Sequence, residues 1–406
     1  MTRILWTCWA LSVVLLWVGC DAKPPVGGSA ATTPAVQSPV KIVPVSDAQA
    51  KTFADALVMT VQAESGADQQ IDWDSLLNRA SSGLNMNPKS LAAFNGGVKK
   101  GVSLNGLVPQ IRAAVKQGGS YKHLRTHQTA EGTRVTMRLI MAEGGMNYHD
   151  YLLQDVNGRV NAVDINIAAT GEDMSQTFRR LMIPLIAHDN RGVLDRLSGK
   201  EGLLVKHLGD MEKAVKCLQE GQHQQALQTL NSLPMELQNE KFFLVLQIAA
   251  AQGANDEAAT QRVIERMRAQ YPSDPATALF SLDYYFVNKD YSKTIATLKQ
   301  LDQSVGGDAN LWCMMAGILL QTKDIPGAKA AVEKAISMEP DLLTCYWNRV
   351  AIAVEEEDNA TILKTMQYIH DDLSVTLDAN SIRSEPTYSK FILSPEFKEL
   401  EKLLAE

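Results

Sequence analysis

The chain has few cysteines for its length. Of 406 residues only five are cysteines, two of them precede residue 21, and Cys217, Cys313 and Cys345 form no CxxC spacing. This excludes a disulfide scaffold, and we expect these three to be small core residues. Basic residues are also fewer than acidic ones, 39 against 46, and they do not concentrate in one region. Nucleic acid is therefore excluded as an electrostatic partner.

Motifs for catalysis are missing as well. The sequence contains no GxSxG, no HExxH and no Gly-rich phosphate loop, since Gly199-Lys200 is followed by Glu201. His123 and His127 fall in a predicted strand, where residues four apart lie about 13 Å from each other, too far for one zinc ion. No catalytic residue, metal or cofactor is predicted. With 45% apolar and 21% charged residues, the chain still has the composition of two or three folded domains.

The N-terminus is typical of an export signal. Arg3 is followed by a mostly apolar run over residues 4–18, which is shorter than the ~20 residues of a spanning helix. This predicts a signal peptide over residues 1–19. Its ending, Leu16-Trp17-Val18-Gly19-Cys20, resembles the bacterial lipoprotein signal, although Trp17 stands where that family has Leu.

The resemblance implies that Cys20 is the lipid attachment site and that the protein is anchored in the bacterial cell envelope. The alternative is an ordinary signal peptide or an uncleaved anchor in which Cys20 has no role. Residues 20–46 are rich in Pro, Gly and Ala, which predicts a tether of about 30 Å in the flexible limit. The folded part would then lie off the membrane, facing the periplasm or the exterior.

Residues 47–190 combine a helical and a strand pattern. Ser46 and Gln49 form a capping box in front of an amphipathic stretch, and two or more further helices are expected before Gly118. Period-two alternation then predicts strands over residues 121–129, 134–141, 146–154 and 159–168. Two-residue turns at Gly144-Gly145 and Asn157-Gly158 would join the last three into hairpins.

Those turns fix a predicted register and hence two predicted faces. The core face would contain the rows Met137, Leu152, Val163; Leu139, Asp150, Ile165; and Met141, Tyr148, Ile167. The opposite, polar face would contain Arg138, Tyr151, Asp164, with Ile140, His149 and Asn166 beside them.

Arg138, His149, Tyr151 and Asp164 are the candidate ligand site of this region. An arginine, a histidine and a carboxylate on one face could orient an acidic ligand. The alternative is an exposed sheet face with cross-strand pairs worth about 0.2–1 kcal/mol each. Helices followed by an antiparallel meander resemble the cystatin-like α+β roll of the nuclear-transport-factor-2-like superfamily, whose members bind ligands, catalyse reactions or dimerise, so this fold does not name a function.

The second half of the chain is repetitive. Turn positions Gly221, Gly253, Lys289, Lys323 and Glu357 follow one another at intervals of 32, 36, 34 and 34. The best repeat, 309–342, resembles the tetratricopeptide pattern at the following positions: Trp312, Ala316, Lys323-Asp324, Ala328, Ala335 and Pro340. The resemblance implies about five repeats over residues 205–380, stacked as an all-α superhelix. Residues 381–406 would cap the stack.

The tetratricopeptide resemblance also implies a groove that binds partner proteins. The groove positions carried over to this chain are Phe243, Gln247, Leu279, Asp283, Phe286, Gly317, Leu320, Gln321 and Trp347. None is Lys or Arg, so a basic clamp for a C-terminal carboxylate is not expected. The apolar residues of this set fit a helix or an extended peptide as partner. The alternative is that the N-terminal domain or the next turn of the superhelix covers these side chains.

The expected fold class is therefore multidomain, an α+β roll followed by an all-α helical-repeat superhelix. The expected function is a membrane-tethered scaffold that binds other proteins through its repeats, with no enzymatic role assigned. Two alternatives stay open: a ligand-binding or catalytic roll that the repeats recruit, and a structural lipoprotein of envelope assembly.

Overall fold

The structure is a computed structural model that describes residues 44–63, 69–84, 86–156, 158–189 and 199–405. The predicted signal peptide, Cys20 and the tether up to residue 43 lie outside these ranges. Within them, no helix combines the length and the apolar character needed to cross a bilayer.

An α+β part comes first and begins with four helices. They are α1 (Asp47–Gln62), α2 (Trp73–Ser81), α3 (Pro88–Asn105) and α4 (Leu107–Lys116). The predicted capping box is confirmed, because the Ser46 side chain accepts from the Gln49 backbone and the Gln49 side chain accepts from the Ser46 backbone. Helix α1 buries Phe53, Ala54 and Leu57.

The strands form one antiparallel sheet in the order β1-β2-β3-β4-β5. Their bounds are β1 (Ser120–Thr129), β2 (Gly132–Ile140), β3 (Met146–Val156), β4 (Arg159–Ile167) and β5 (Glu172–Asp173). The predicted meander is confirmed, and the first four strands agree with the predicted ones to within a few residues. Helix α5 (Met174–Asp189) follows and returns to the sheet.

The predicted register between β2 and β3 is wrong by three residues. Arg138 lies opposite Tyr148 rather than Tyr151. The Met141 amide donates to the Gly145 carbonyl at 2.7 Å and Gly144 has a positive φ of 93°, so the turn is a three-residue loop over residues 142–144. It begins two residues and ends one residue before the predicted two-residue turn, which accounts for the shift of three. Three-residue loops of this kind end in a left-handed residue. An odd shift moves every side chain to the other face.

The register between β3 and β4 changes within the hairpin. Val156 pairs with Arg159, as the predicted Asn157-Gly158 turn requires, and Leu153 pairs with Ala162. A bulge then follows, so that Leu152 lies opposite Asp164 instead of Val163. The extra residue inverts the faces beyond it, which periodicity alone does not reveal.

The sheet therefore has a helix-covered face and a second face, and both differ from the predicted sets. The helix-covered face packs on α1 and its neighbours and contains Val135, Met137, Leu139, His149, Tyr151, Ile165 and Ile167. The second face contains Arg134, Thr136, Arg138, Tyr148, Asp150, Leu152 and Asp164. The predicted core residues Tyr148, Asp150 and Leu152 are thus on the second face.

A long run of packed helices completes the chain and confirms the predicted fold class. After α6 (Gly199–Lys206) and apart from the short α9 (Met235–Gln238), ten helices form five consecutive pairs: α7 (Leu208–Gln219) with α8 (His223–Asn231), α10 (Lys241–Gly253) with α11 (Glu257–Gln270), α12 (Pro275–Val287) with α13 (Tyr291–Val305), α14 (Ala309–Gln321) with α15 (Ile325–Met338), and α16 (Leu343–Glu355) with α17 (Asn359–Asp371). Helix α18 (Ala379–Ser384), two 3₁₀ turns (Pro386–Tyr388 and Phe391–Leu393) and α19 (Pro395–Ala405) close the chain.

The turns inside the five pairs recur with one period. Each has a single residue of positive φ, and these residues are Gly221, Asn255, Lys289, Lys323 and Glu357. Their interval along the chain is constant at 34, since the second turn uses Asn255 and not the predicted Gly253. In the last four turns the next residue is an Asp whose side chain caps the second helix: Asp256, Asp290, Asp324 and Asp358.

The chain divides into two compact units, one ending at Tyr284 and one beginning at Tyr285. The boundary falls within α12, whereas the predicted domain boundary lay between residues 190 and 205. The first unit therefore contains the α+β part together with the first helix pairs. Cys217, Cys313 and Cys345 are free thiols in buried positions, which confirms their predicted core role.

Candidate functional site

The four residues of the predicted ligand site do not form one constellation. His149 and Tyr151 point to the helix-covered face, whereas Arg138 and Asp164 belong to the second face. All four are buried, with Arg138 at 1% relative exposure and the other three at 0%. The shared ligand face is wrong, because the shifted register moves His149 and Tyr151 to the other side of the sheet. The solvated polar face is wrong because all four side chains are buried.

On the helix-covered face a neutral hydrogen-bond network is buried. The Tyr121 hydroxyl lies 3.1 Å from His149 Nδ1 and 2.8 Å from the Tyr151 hydroxyl. Burial lowers the pKa of His149 to about 3, and burial together with the neighbouring Tyr151 raises the pKa of Tyr121 well above its ordinary value. The ring of Phe53 from α1 packs 5.8 Å from that of Tyr151. These side chains are held in the packed core.

Asp164 has a different surrounding. Its carboxylate accepts from Ser175 Oγ at 2.5 Å and from the Ser175 amide at 3.1 Å, at the start of α5. Arg79 of α2 donates to it through Nε at 3.2 Å. A negative charge at a helix N-terminus satisfies free amides and complements the helix dipole. Asp164 therefore fixes α5 and α2 to the sheet.

The second face also holds a polar cluster that the sequence did not predict. Asp150 accepts from Thr136 Oγ1 at 2.8 Å and lies 3.0 Å from His127 Nε2, and the Arg134 guanidinium contacts it at 3.7 Å. Burial alone would raise the pKa of Asp150, but these hydrogen bonds and the charge of Arg134 lower it below its ordinary value. The cluster was not predicted, because the wrong register assigned Asp150 to the core face.

A one-residue bulge also changes the faces to which His123 and His127 point. A bulge between His123 and Arg125 shifts the β1 register, so that His123 lies opposite Met137 and His127 opposite Arg134. The two histidines consequently point to opposite faces. Among the described residues, no group of three or more His, Cys, Asp or Glu side chains is arranged to hold a metal ion.

In the helical repeats, three of the predicted groove residues are core. Phe243 and Leu279 are each 1% exposed, and Gln247 is 0% exposed. Gln247 donates to the Gln238 carbonyl at 3.2 Å and accepts from Arg266. Part of this misplacement follows from the turn at Asn255, because one repeat period before Leu279 and Asp283 the chain has Val245 and Ala249 rather than Phe243 and Gln247.

The remaining predicted groove residues keep some exposure. Asp283 and Gly317 are half-buried, as are Phe286, Leu320 and Trp347, while Gln321 is exposed. Phe286 and Leu320 are one repeat period apart, and the next position in the series is Val354, also half-buried. Val354 is not among the predicted groove residues, although the period alone would have indicated it. We call Phe286, Leu320 and Val354 the apolar stripe of the second unit.

At the start of α10 and α12, the α+β part contacts the repeats directly. The guanidinium of Arg180 lies 4.0 Å from the ring centroid of Phe242. A Cβ built on Gly171 would lie 3.3 Å from the Cβ of Ala276 and 3.6 Å from Cδ of Lys241. Phe242 and Ala276 are one repeat period apart and so occupy equivalent places in two successive pairs. None of the three repeat residues, Lys241, Phe242 and Ala276, is among the predicted groove positions.

Comparison of the sequence with models of known protein families and with curated proteins finds no match.

Proposed function

We propose that the protein is a scaffold that binds other proteins through tetratricopeptide-like repeats. The observation that carries the proposal is the turn of positive φ at Gly221, Asn255, Lys289, Lys323 and Glu357, at a constant interval of 34. This interval is the tetratricopeptide period. Stacked helix pairs of this kind form extended binding surfaces, because each pair buries one face on its neighbour and leaves another face for a partner.

The exposure of the predicted groove residues favours a binding surface in the second unit. In the first unit Phe243, Gln247 and Leu279 are core residues and cannot contact a partner without repacking. The apolar stripe, Phe286, Leu320 and Val354, keeps partial exposure in three successive helix pairs. A row of apolar side chains at regular spacing suits one face of an amphipathic helix or alternate side chains of an extended peptide.

Crosslinking followed by mass spectrometry in the native cell tests this function. We expect partner crosslinks to the second unit, and we expect the Leu320→Asp variant to lose most of them because a charge would be desolvated in the interface. Met338→Asp is the matched control, since Met338 is an exposed apolar residue, 42% accessible, on the second helix of the same pair. Equal loss with both variants, or equal capture by both, would contradict binding through the stripe.

Attachment to a membrane is a separate part of the proposal. The lipoprotein-like ending at Cys20 supports it, since two acyl chains hold a protein stably on a bilayer. Metabolic labelling with a palmitate analogue should mark the wild-type chain and not the Cys20→Ala variant. Label that persists in the variant would refute lipidation at this residue.

The catalytic or ligand-binding alternative has less support. It needs Arg138, His149, Tyr151 and Asp164 on one accessible face, and the four residues are buried on two faces. The envelope-assembly alternative is decided by the same crosslinking experiment, which identifies the partner.

A further inference from the structure

The apolar stripe is bordered by a glycine that the fold itself does not require. Gly317 lies in the interior of α14, one helical turn before Leu320, where glycine is unfavourable because it loses the most backbone freedom on folding. A Cβ on Gly317 would have one neighbour within 4 Å, Asn348 Oδ1 at 3.9 Å, which is ordinary van der Waals contact. Ala351 holds the equivalent position one repeat period later, and both residues are half-buried. Packing among the described residues therefore does not explain the missing side chain.

Asn348 of α16 presents a hydrogen-bond acceptor next to this glycine. Its Nδ2 donates to the Cys313 carbonyl at 2.8 Å, which fixes the carboxamide against α14. Its Oδ1 lies beside the space over Gly317 and accepts no hydrogen bond from the residues that the structure describes. A fixed acceptor beside two small residues, Gly317 and Ala351, can bind a hydrogen-bond donor of an incoming chain.

The spacing of the stripe distinguishes a helical partner from an extended one. Helices α14 and α16 pack directly, since Asn348 reaches the Cys313 carbonyl, and the axes of packed helices lie about 8–10 Å apart. Leu320 and Val354 occupy equivalent positions of these two helices and so have about the same separation. Residues seven apart in a helix are about 10.5 Å from each other on one side, whereas alternate residues of a strand recur at about 7 and 13 Å. The stripe therefore matches a helix with a seven-residue apolar repeat.

Charge restricts the partner further. Residues 285–406 contain 19 acidic and 12 basic residues, while residues 1–284 contain 27 of each, so the net charge of −7 belongs to the second unit. The stripe and its two small neighbours include no cation, and Lys323 in the turn after α14 is paired with Glu355 at 2.7 Å. This balance attracts a partner that has Lys and Arg beside its apolar face, and added salt weakens the attraction.

We propose that the apolar stripe binds a basic amphipathic helix whose backbone comes close to Gly317. This helix has apolar residues seven apart, a small residue over Gly317 and a hydrogen-bond donor for Asn348. The inference rests on the proposed scaffold function and names the chemistry of its partner. Glycine permits the close approach because it has no Cβ, and this use explains why an unfavourable residue stands inside α14.

Fluorescence anisotropy with the full chain and three designed peptides of about 18 residues, or five helical turns, tests the partner chemistry. The first peptide has Leu at every seventh position, Ala between them on the same face, and Lys elsewhere. The second has the same composition with its Leu residues at alternate positions, and the third has Glu in place of Lys. We expect the first peptide to bind on the order of tenfold more tightly than the other two, with an affinity that falls as NaCl is added.

Gly317→Ala gives a readout that a purely structural role would not. It should raise the urea midpoint, because alanine favours the helix, and weaken binding of the first peptide on the order of tenfold, because a methyl group occupies the approach. Gly96→Ala, in open space within α3, is the matched control and should leave binding unchanged. Unchanged binding in Gly317→Ala, or no preference for the first peptide, would overturn the proposal.

Leu320→Asp separates this inference from the proposed function. If it removes the partner crosslinks while Gly317→Ala binds the first peptide normally, the scaffold function stands and the close-approach helix is wrong. If Leu320→Asp leaves the crosslinks unchanged, the scaffold function through the stripe fails, and the inference fails with it.

Discussion

The effect of Asp164→Ala on stability depends strongly on the tertiary structure. The register predicted from the turns would put Asp164 in a solvated cross-strand pair, worth about 0.2–1 kcal/mol. The structure instead places its carboxylate at 0% exposure, bonded to Ser175 and Arg79. A solvated pair predicts a small loss of stability for Asp164→Ala, whereas the buried, hydrogen-bonded carboxylate predicts a larger one.

The expected loss follows from the partners of the carboxylate. Hydrogen bonds to a charged group contribute about 1.5–3 kcal/mol each, and a buried donor left without an acceptor costs about 1–3 kcal/mol. Arg79 is 38% exposed and also pairs with Glu131, so it regains water and contributes little to the loss. The amide and hydroxyl of Ser175 dominate, and we expect Asp164→Ala to lower the free energy of unfolding by roughly 3 kcal/mol. Asp164→Asn, which keeps an acceptor, should lose less.

Urea unfolding combined with hydrogen exchange of peptides from β4 and α5 measures this loss where it occurs. Asp55→Ala is the matched control, because Asp55 pairs with Lys51 in the same part of the chain but is 57% exposed. We expect the control to change stability by less than about 0.5 kcal/mol. A loss below about 1 kcal/mol for Asp164→Ala, similar to the control, would refute the buried capping role.

Three other predictions concern turns, glycines and pH. Asp324→Ala should lower the stability of the second unit by about 1 kcal/mol in urea unfolding, while Asp324→Asn retains most of it, because the side chain caps Gly327. Gly221→Ala should destabilise by about 1 kcal/mol through its positive φ of 72°, whereas Gly96→Ala, in open space within α3, should stabilise by a similar amount. Between the unfolded pKa of about 6.5 and the folded pKa of about 3, the unfolded chain binds a proton at His149 that the folded chain does not. Stability should therefore fall by about 1.4 kcal/mol per pH unit as the pH drops through this range, and His149→Gln should lose that part of the slope.

Helix starts and turns were predicted correctly where a few neighbouring residues determine them. Ser46 and Gln49 fixed the start of α1, because a capping box needs only residues three apart. Val156 pairs with Arg159, as expected for the predicted Asn157-Gly158 turn, of which Asn157 lies outside the described residues. The helix pairs of the repeats followed from the spacing of their turns. In each case the determining interaction lies within one element or one turn.

The faces of the sheet could not be predicted in this way. The three-residue loop over residues 142–144 and single bulges in β1 and β4 each invert the side chains beyond them. Whether a bulge forms depends on what packs against the strand from elsewhere in the chain. For this reason His149 and Tyr151 were assigned to the wrong face, although the strands themselves were correct.

One turn position of the repeats could not be predicted from local preference either. Gly253 was the stronger turn signal, because glycine adopts a positive φ without strain. The structure uses Asn255 with φ 54°, which keeps the interval constant. Stacking requires successive pairs to superpose, and that global requirement prevails over the local preference of one glycine.

The sequence by itself determined the order of the elements, the repeat architecture and the chemical candidates for export and anchoring, because these depend on local spacing and composition. Only the tertiary structure decided which side chains are accessible. It buried Arg138, His149, Tyr151 and Asp164, placed Arg180 on Phe242, and left the apolar stripe partly exposed. Accessibility depends on contacts between residues far apart in the chain, and short loops and one-residue bulges redirect those contacts.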